Sequence, residues 1–295
     1  MADTRPIGGP PVWLQMDQGE LDDAYDQRVW APNFEQLAGR RRFLNEQALQ
    51  RMEAPARFQY GSSAIEALHL YAAKRKNAPV HVFIHGGAWR IGTAQDYAFV
   101  AETFIHAGAH LIILDFASVD MCAGDLSVPA DQVRRAVTWV YQNAKAFDGD
   151  PEALYISGHS SGAHLGGCVL INDWDALDLP SDLVKGAVLC SGMYDLKPVR
   201  LSKRSNYVKF TDEIEHALSA ARHIDRLSAP VVLVYGSLET PEFQRQSCAF
   251  AAAVTAKGKP AEIIRAEFYN HFEMIELFAN PYSVIGRAIR AQMKL

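Results

Sequence analysis

Long apolar runs, paired cysteines and an excess of positive charge are all missing from this chain. No stretch approaches the ~20 apolar residues that a bilayer-spanning helix needs, so no span is expected. The N-terminal residues lack the apolar centre of a secretory signal. Only four cysteines occur in 295 residues: Cys122, Cys168, Cys190 and Cys248. They are scattered, without C-x-x-C spacing, and read as reduced thiols of a cytoplasmic protein, mostly in the core. Lys and Arg number 29 against 34 Asp and Glu, a net charge of −5, which leaves no basic footprint for nucleic acid or an anionic membrane. There is no internal repeat, no low-complexity tract and no Gly-rich nucleotide loop. With 49% hydrophobic and 21% charged residues, the chain can fill a large core in one α/β domain.

The hydrophobic period changes along the chain. Residues 1–17, rich in Pro and Gly, read as a flexible arm, and residues 18–295 as a single domain. A helical pattern covers 18–54. Strands are predicted at 65–71, 80–84, 111–116, 154–156, 187–192, 231–236 and 261–268, separated by helical patterns at 97–107, 130–144 and 243–256, with a helical region at 273–293. Continuous apolar strands alternating with helices predict a mostly parallel sheet with helices on both faces, and a site at the carboxyl ends of the strands. The segments 18–54 and 196–228 are expected to form a small helical cap over that site.

Gly158-His159-Ser160-Ser161-Gly162 follows the apolar run Ala153–Ser157 and precedes the small-residue stretch Ala163–Gly167. This is G-x-S-x-G between a strand and a helix. The flanking glycines allow strand and helix to approach closely, and the turn lifts the Ser160 hydroxyl clear of the backbone. A serine hydroxyl needs a base, and the base needs an orienting carboxylate. His271 follows the last predicted strand, where the base belongs. His216 and His223 precede the strand at 231–236, in charged stretches, and read as surface or cap residues. Glu239 falls in the loop after that strand and is the expected acid. Glu242 lies at the start of the next helix, where it suits the helix dipole.

An oxyanion hole needs uncovered backbone N–H groups. Ser161 offers one, and the loop His85-Gly86-Gly87-Ala88-Trp89 offers others from Gly86, Gly87 and Ala88. Trp89, Tyr194, Phe272 and Trp30 are candidates for an aromatic pocket. His106 and His110 are four apart, but Gly108 lies between them and no Glu follows His106; His81 and His85 are also four apart, but on a strand end. Neither pair is expected to bind a metal. His164 is expected to pack locally, and Asp195 to hydrogen-bond locally or meet substrate. No cofactor is expected.

Four pieces together resemble one family: HGGAW at 85–89, GHSSGAHL at 158–165, YGSLETPEFQRQS at 235–247 and NHFEMIEL at 270–277. They are similar to the bacterial arylformamidase (kynurenine formamidase-like) branch of the α/β-hydrolases. Tyr25-Asp26-Gln27-Arg28 and Ser191-Gly192-Met193-Tyr194-Asp195-Leu196 resemble further segments of that branch. The resemblance implies an α/β-hydrolase fold, with Ser160 as nucleophile, Glu239 as acid, His271 as base, and the 86–88 loop plus Ser161 as oxyanion hole. It implies a serine hydrolase, an esterase or amidase of arylformamidase type, that cleaves an amide or ester of a small aromatic acyl or formyl compound through an acyl-enzyme. A short-chain carboxylesterase is the alternative. A hydrolase-fold binding protein without catalysis is a third reading, disfavoured by the intact order Ser160, Glu239, His271. The sequence leaves open whether the chain is a monomer or a homodimer. Two departures from the branch stand out: Ser161 replaces its usual alanine, and the 115–121 loop differs and is expected to border the pocket and alter the substrate.

Overall fold

The computed structural model describes residues 9–295. Its centre is an eight-stranded sheet in the order β1-β2-β4-β3-β5-β6-β7-β8. The strands are β1 Ala56–Gln59, β2 Ala67–Tyr71, β3 Ala78–Ile84, β4 His110–Leu114, β5 Gly149–His159, β6 Gly186–Cys190, β7 Val231–Gly236 and β8 Ala261–Ala266. β2 pairs antiparallel with both β1 and β4, and every other neighbouring pair is parallel. The sheet is the mostly parallel one expected, with β1 as an added edge strand.

Strand side chains alternate between two cores. Val80, Val82 and Ile84 face one, together with Ile112, Leu114 and Ile156. Phe83, Leu111, Ile113, Val188 and Val234 face the other. Burial on both sides is why these strands read as unbroken apolar runs. Helices α4 Ser127–Asn143, α5 Ser161–Leu170 and α8 Pro241–Ala256 cover the first core. Helices α3 Ala101–His106 and α10 Val284–Met293 cover the second. In α4 the stripe Val133, Ala136, Val137 and Val140 is fully buried. Each valine there stabilises the fold by about 1.5–3 kcal/mol relative to exposure.

The segment expected as one helix at 97–107 is a 3-10 stretch, Ala94–Val100, running into α3. Its start is pinned by Asp115 Oδ1, which accepts from the Ala94 N–H at 2.6 Å. The helical pattern at 18–54 is two helices, α1 Gln18–Ala24 and α2 Phe34–Arg51. Asp17 and Glu20 form a capping box that starts α1. The 196–228 segment holds α6 Lys197–Leu201, α7 Asp212–Ala217 and several 3-10 turns. It is tied to α1: Gln18 Nε2 donates to the Leu201 carbonyl at 2.9 Å, and the Lys203 N–H donates to Asp22 at 2.5 Å.

Residues 1–8 of the expected flexible arm lie outside the described residues. Residues 9–17 make a few contacts. The Gly9 N–H donates to Asp17 at 3.0 Å, Trp13 bridges to Met16, and the Arg245 guanidinium lies 5.5 Å from the Trp13 ring centroid. Among the described residues no helix is long and apolar enough to cross a membrane.

Candidate active site

Ser160 stands between β5 and α5 with φ 58° and ψ −123°. A non-glycine residue held in this sparsely populated region costs about 1–3 kcal/mol, so the surrounding chain must impose it. It does. The Ser160 N–H donates to the Cys190 carbonyl at 2.9 Å, and the Ser160 carbonyl accepts from Ala163 and His164 at 3.0 and 3.1 Å. A Cβ on Gly158 would run into the Gly162 carbonyl, and one on Gly162 into the Ile84 carbonyl. Both glycines are therefore required by close backbone approach, as the motif predicts.

Three segments remote in sequence bring their side chains into one line. Ser160 Oγ–H donates to His271 Nε2 at 2.8 Å. His271 Nδ1–H donates to Glu239 Oε1 at 2.5 Å. Glu239 Oε2 accepts from Ser191 Oγ–H at 2.9 Å and from the Gly236 N–H at 3.0 Å. Ser160, Glu239 and His271 are all buried. Asn270 caps the short helix α9, His271–Met274, accepting from the N–H groups of Phe272 and Glu273. That cap sets His271 at the first position of the helix.

Burial pushes the Glu239 carboxyl up to about 7, against the pull of the Gly236 N–H and the Ser191 hydroxyl. Burial and the Arg204 charge push the His271 imidazole down. The two groups titrate as a unit across their short hydrogen bond. A proton taken up by the carboxyl removes the negative charge that would stabilise an imidazolium at His271.

The Gly87 and Ala88 backbones carry φ of 118° and 55°. A Cβ on Gly87 would collide with the Ile91 carbonyl. Among the described residues the N–H groups of Gly87 and Ala88 donate to no protein atom. The Ser161 N–H, at the first position of α5, has no acceptor within its helix. A Cβ on Gly86 would approach Ser160 Cβ at 3.2 Å, so this loop lies directly beside the serine. The Ser161 hydroxyl accepts from the Trp89 N–H at 3.2 Å and ties the loop to the elbow.

Ser160 and His271 open into a cavity of about 560 Å³. Its walls come from the loop (Gly87, Ala88, Arg90, Ile91), from Tyr25–Arg28 between α1 and α2, from Phe34 and Arg41 on α2, from Lys203–Tyr207, and from His159, Tyr97 and Phe272. Phe34 meets Phe272 edge-on at 4.5 Å between ring centroids. His159 Nε2–H donates to the His271 carbonyl at 3.0 Å, and burial holds this second imidazole neutral, down to about 3.

Several expected positions differ. Of the aromatic candidates only Phe272 lines the cavity. Trp89 is buried behind the loop, its indole N–H donating to His164 Nδ1 at 3.1 Å. Tyr194 is stacked on Phe250 in the core, at 4.4 Å between centroids. Trp30 is half exposed outside the cavity, with its N–H on the Asp23 carbonyl. Large aromatic side chains serve packing as often as binding, and Trp89 and Tyr194 were taken up by packing. Glu242 is bonded to Arg245 at 2.6 Å and accepts from the Tyr25 hydroxyl at 2.9 Å, away from His271. Asp195 pairs with Arg222.

The 115–121 loop, expected to border the pocket, lies behind the loop instead. Val119 N–H donates to the Trp89 carbonyl, and Asp120 pairs with Arg90 at 2.8 Å. Ser191, His159, Arg41 and Arg204 were not expected at the site. Ser191 was visible only within the segment Ser191–Leu196, and the two arginines carry no motif.

The mostly parallel sheet, covered on both faces and with a strained serine at a strand-to-helix turn, is the α/β-hydrolase fold. Residues 67–178 match the family model BD-FAE. A kynurenine formamidase from Danio rerio is 28% identical over 277 residues, covering 90% of this chain and 92% of its own length. A solved candidate thioesterase from Silicibacter sp. TM1040 superposes with a TM-score of 0.75 at 24% identity, covering 92% of this chain and 98% of that one. The esterase LipW from Mycobacterium marinum superposes with a TM-score of 0.68 at 15% identity, covering 91% of this chain and 89% of that one. The chain shares the α/β-hydrolase fold of these structures, and its sequence relatives include a formamidase and esterases.

Proposed function

We propose that the chain is a serine hydrolase that cleaves the amide or ester bond of a small aromatic acyl or formyl compound through an acyl-enzyme. The observation that carries this reading is the unbroken hydrogen-bonded line from Ser160 through His271 to Glu239 at the mouth of an aromatic-walled cavity. His271 takes the Ser160 proton as Oγ attacks the carbonyl carbon. Glu239 holds the proton of Nδ1 and stabilises the imidazolium. The N–H groups of Gly87, Ala88 and Ser161 receive the developing oxyanion, and each such donor typically contributes ~10²–10³ in turnover. His271 then protonates the leaving amine or alcohol. Water, deprotonated by His271, attacks the acyl-enzyme and releases the acid.

The segments 18–54 and 196–228 act as the cap in this reading, since Tyr25–Arg28, Phe34, Arg41 and Lys203–Tyr207 wall the cavity. A cytoplasmic location goes with it, supported by four cysteines that are all unpaired. The identity to a kynurenine formamidase favours an aryl formamide over a simple ester. Steady-state rates with formanilide and with p-nitrophenyl acetate test it, together with fluorophosphonate labelling. Labelling at Ser160 and formanilide turnover are expected. Comparable ester activity without formamide activity makes the chain a short-chain carboxylesterase, and absence of labelling defeats the serine mechanism.

A further inference from the structure

Glu239 is fully buried, and among the described residues it forms no ion pair with Lys or Arg. Four titratable groups face it: His271 on α9, His159 at the end of β5, Cys190 at the end of β6, and Tyr194 just beyond. Burial keeps both imidazoles neutral near pH 7, and keeps the thiol and the phenol protonated. A carboxylate buried among neutral groups is costly unless hydrogen bonds to its charged form offset the loss of water.

Three donors reach it. His271 Nδ1–H meets Oε1 at 2.5 Å, while the Gly236 N–H and the Ser191 hydroxyl meet Oε2 at 3.0 and 2.9 Å. The first belongs to the reacting line and the second is fixed backbone. Ser191 is the side chain outside that line which acts on the carboxylate.

Ser191 is held in an unusual conformation. It is buried and carries φ 56°, in the left-handed region that favours glycine. Hydrogen bonds on both sides impose it. The Cys190 carbonyl accepts from the Ser160 N–H at 2.9 Å, and the Ser191 N–H donates to the Val234 carbonyl at 2.8 Å. The end of β6 thus joins the turn that carries Ser160 to the end of β7, from which the loop of Glu239 departs. Cys190 Sγ lies 3.3 Å from Ser191 Oγ. Kept as a thiol, it donates to Oγ while the Ser191 O–H points at Glu239. Strain of this kind persists where the surrounding structure over-determines it.

We propose that Ser191 is a positioning residue for the reaction, its hydroxyl holding Glu239 charged and turned towards His271 Nδ1. What the charge does rests on the hydrolase reading above; how it is held is a property of the resting protein. Without the hydroxyl, Oε2 keeps one donor instead of two and the neutral carboxyl forms more readily. The charge that stabilises the imidazolium is then lost at a higher pH.

Ser191→Ala and Ser191→Gly test this by pH profile, with formanilide, or with p-nitrophenyl acetate if only the ester is cleaved. In both variants the acid limb of kcat/KM should move up by about one pH unit. The fall in kcat should be about tenfold at pH 7 and less than about threefold at pH 9, with KM within about threefold. Glycine relieves the positive φ, so Ser191→Gly should melt at or above Ser191→Ala while sharing its limb. That separates loss of the hydroxyl from loss of stability. An unmoved limb, or a deficit equal at pH 7 and pH 9, overturns the proposal and makes Ser191 a packing residue at the end of β6. Proton NMR of the resting protein adds a readout without substrate. The downfield His271 Nδ1 proton, assigned by its absence in His271→Gln, should titrate with the limb and move up alike in both variants. If no substrate is turned over but this titration moves with Ser191, the hydrolase reading fails and the positioning role stands. If turnover is seen but neither the limb nor the titration moves, the positioning role fails and the hydrolase reading stands.

Discussion

The two halves of the site are built in opposite ways. Ser160, Glu239 and His271 stand where strands end or just after them, and the polar atoms that form their line are bonded in sequence. The cavity walls come from excursions, Tyr25–Arg41 and Lys203–Tyr207, and keep guanidinium groups without carboxylates. Strand ends are held by the sheet, β5 and β7 by neighbours on both sides and β8 by β7, which suits chemistry that tolerates little misplacement. Excursions are free to vary in side chain without disturbing the sheet, which suits selection of a ligand. Changes at the strand ends should therefore depress turnover of every substrate, and changes in the walls should alter the ratio between substrates.

The sharpest way to break this comparison is Ser160→Ala. Turnover of all substrates should fall by about 10³–10⁶-fold, with little change in melting temperature. Substantial residual activity with any substrate would place the chemistry elsewhere. Next in size, Glu239→Gln should lower kcat by about 10³–10⁴-fold, because the imidazole loses its orienting carboxylate. Glu242→Gln should cost less than about tenfold in kcat and about 1–3 kcal/mol in stability, since it breaks a buried pair with Arg245 and a bond to Tyr25. A kcat loss at Glu242 matching that at Glu239 would refute the division of roles.

The pH profile carries a smaller, signed effect. Protonation of Glu239 removes the charge that stabilises the His271 imidazolium, so kcat/KM should fall on the acid side. Burial raises the carboxyl to about 7, which puts the acid limb near neutrality, with activity rising as pH rises through it. In Glu239→Gln the titrating carboxyl is gone and burial depresses the remaining imidazole, so the limb should move to lower pH. A limb that stays in place shows that another group sets it. Smallest of all, Ser161→Ala removes the acceptor for the Trp89 N–H and should lower kcat by less than about tenfold, uniformly across substrates. A substrate-dependent loss would mean the 86–89 loop selects as well as stabilises.

Much of the strand-end half was legible in the chain. G-x-S-x-G carries its own geometry, because Gly158 and Gly162 are dictated by local backbone approach. Glu239 and His271 follow from strand order, since each comes just after a strand that runs parallel to β5. The walls were not legible in this way. Trp89 and Tyr194 are aromatic and adjacent to motifs, yet they went into the core, while Arg41 and Arg204 have no motif and reached the cavity. The 115–121 loop failed as a pocket border because its hydrogen bonds run to the back of the oxyanion-type loop. Side-chain direction in an excursion depends on distant partners, such as the Lys203 N–H on Asp22, and no local pattern encodes them.

By itself the linear chain determined a parallel sheet covered on both faces and a strained serine at a strand-to-helix turn, because periodicity and close glycine packing are local properties. The folded arrangement alone decided that a guanidinium lies buried and uncompensated in the cavity above that serine. Charge burial is settled by what surrounds a group in space, and the residues around Arg204 come from parts of the chain up to 179 positions away.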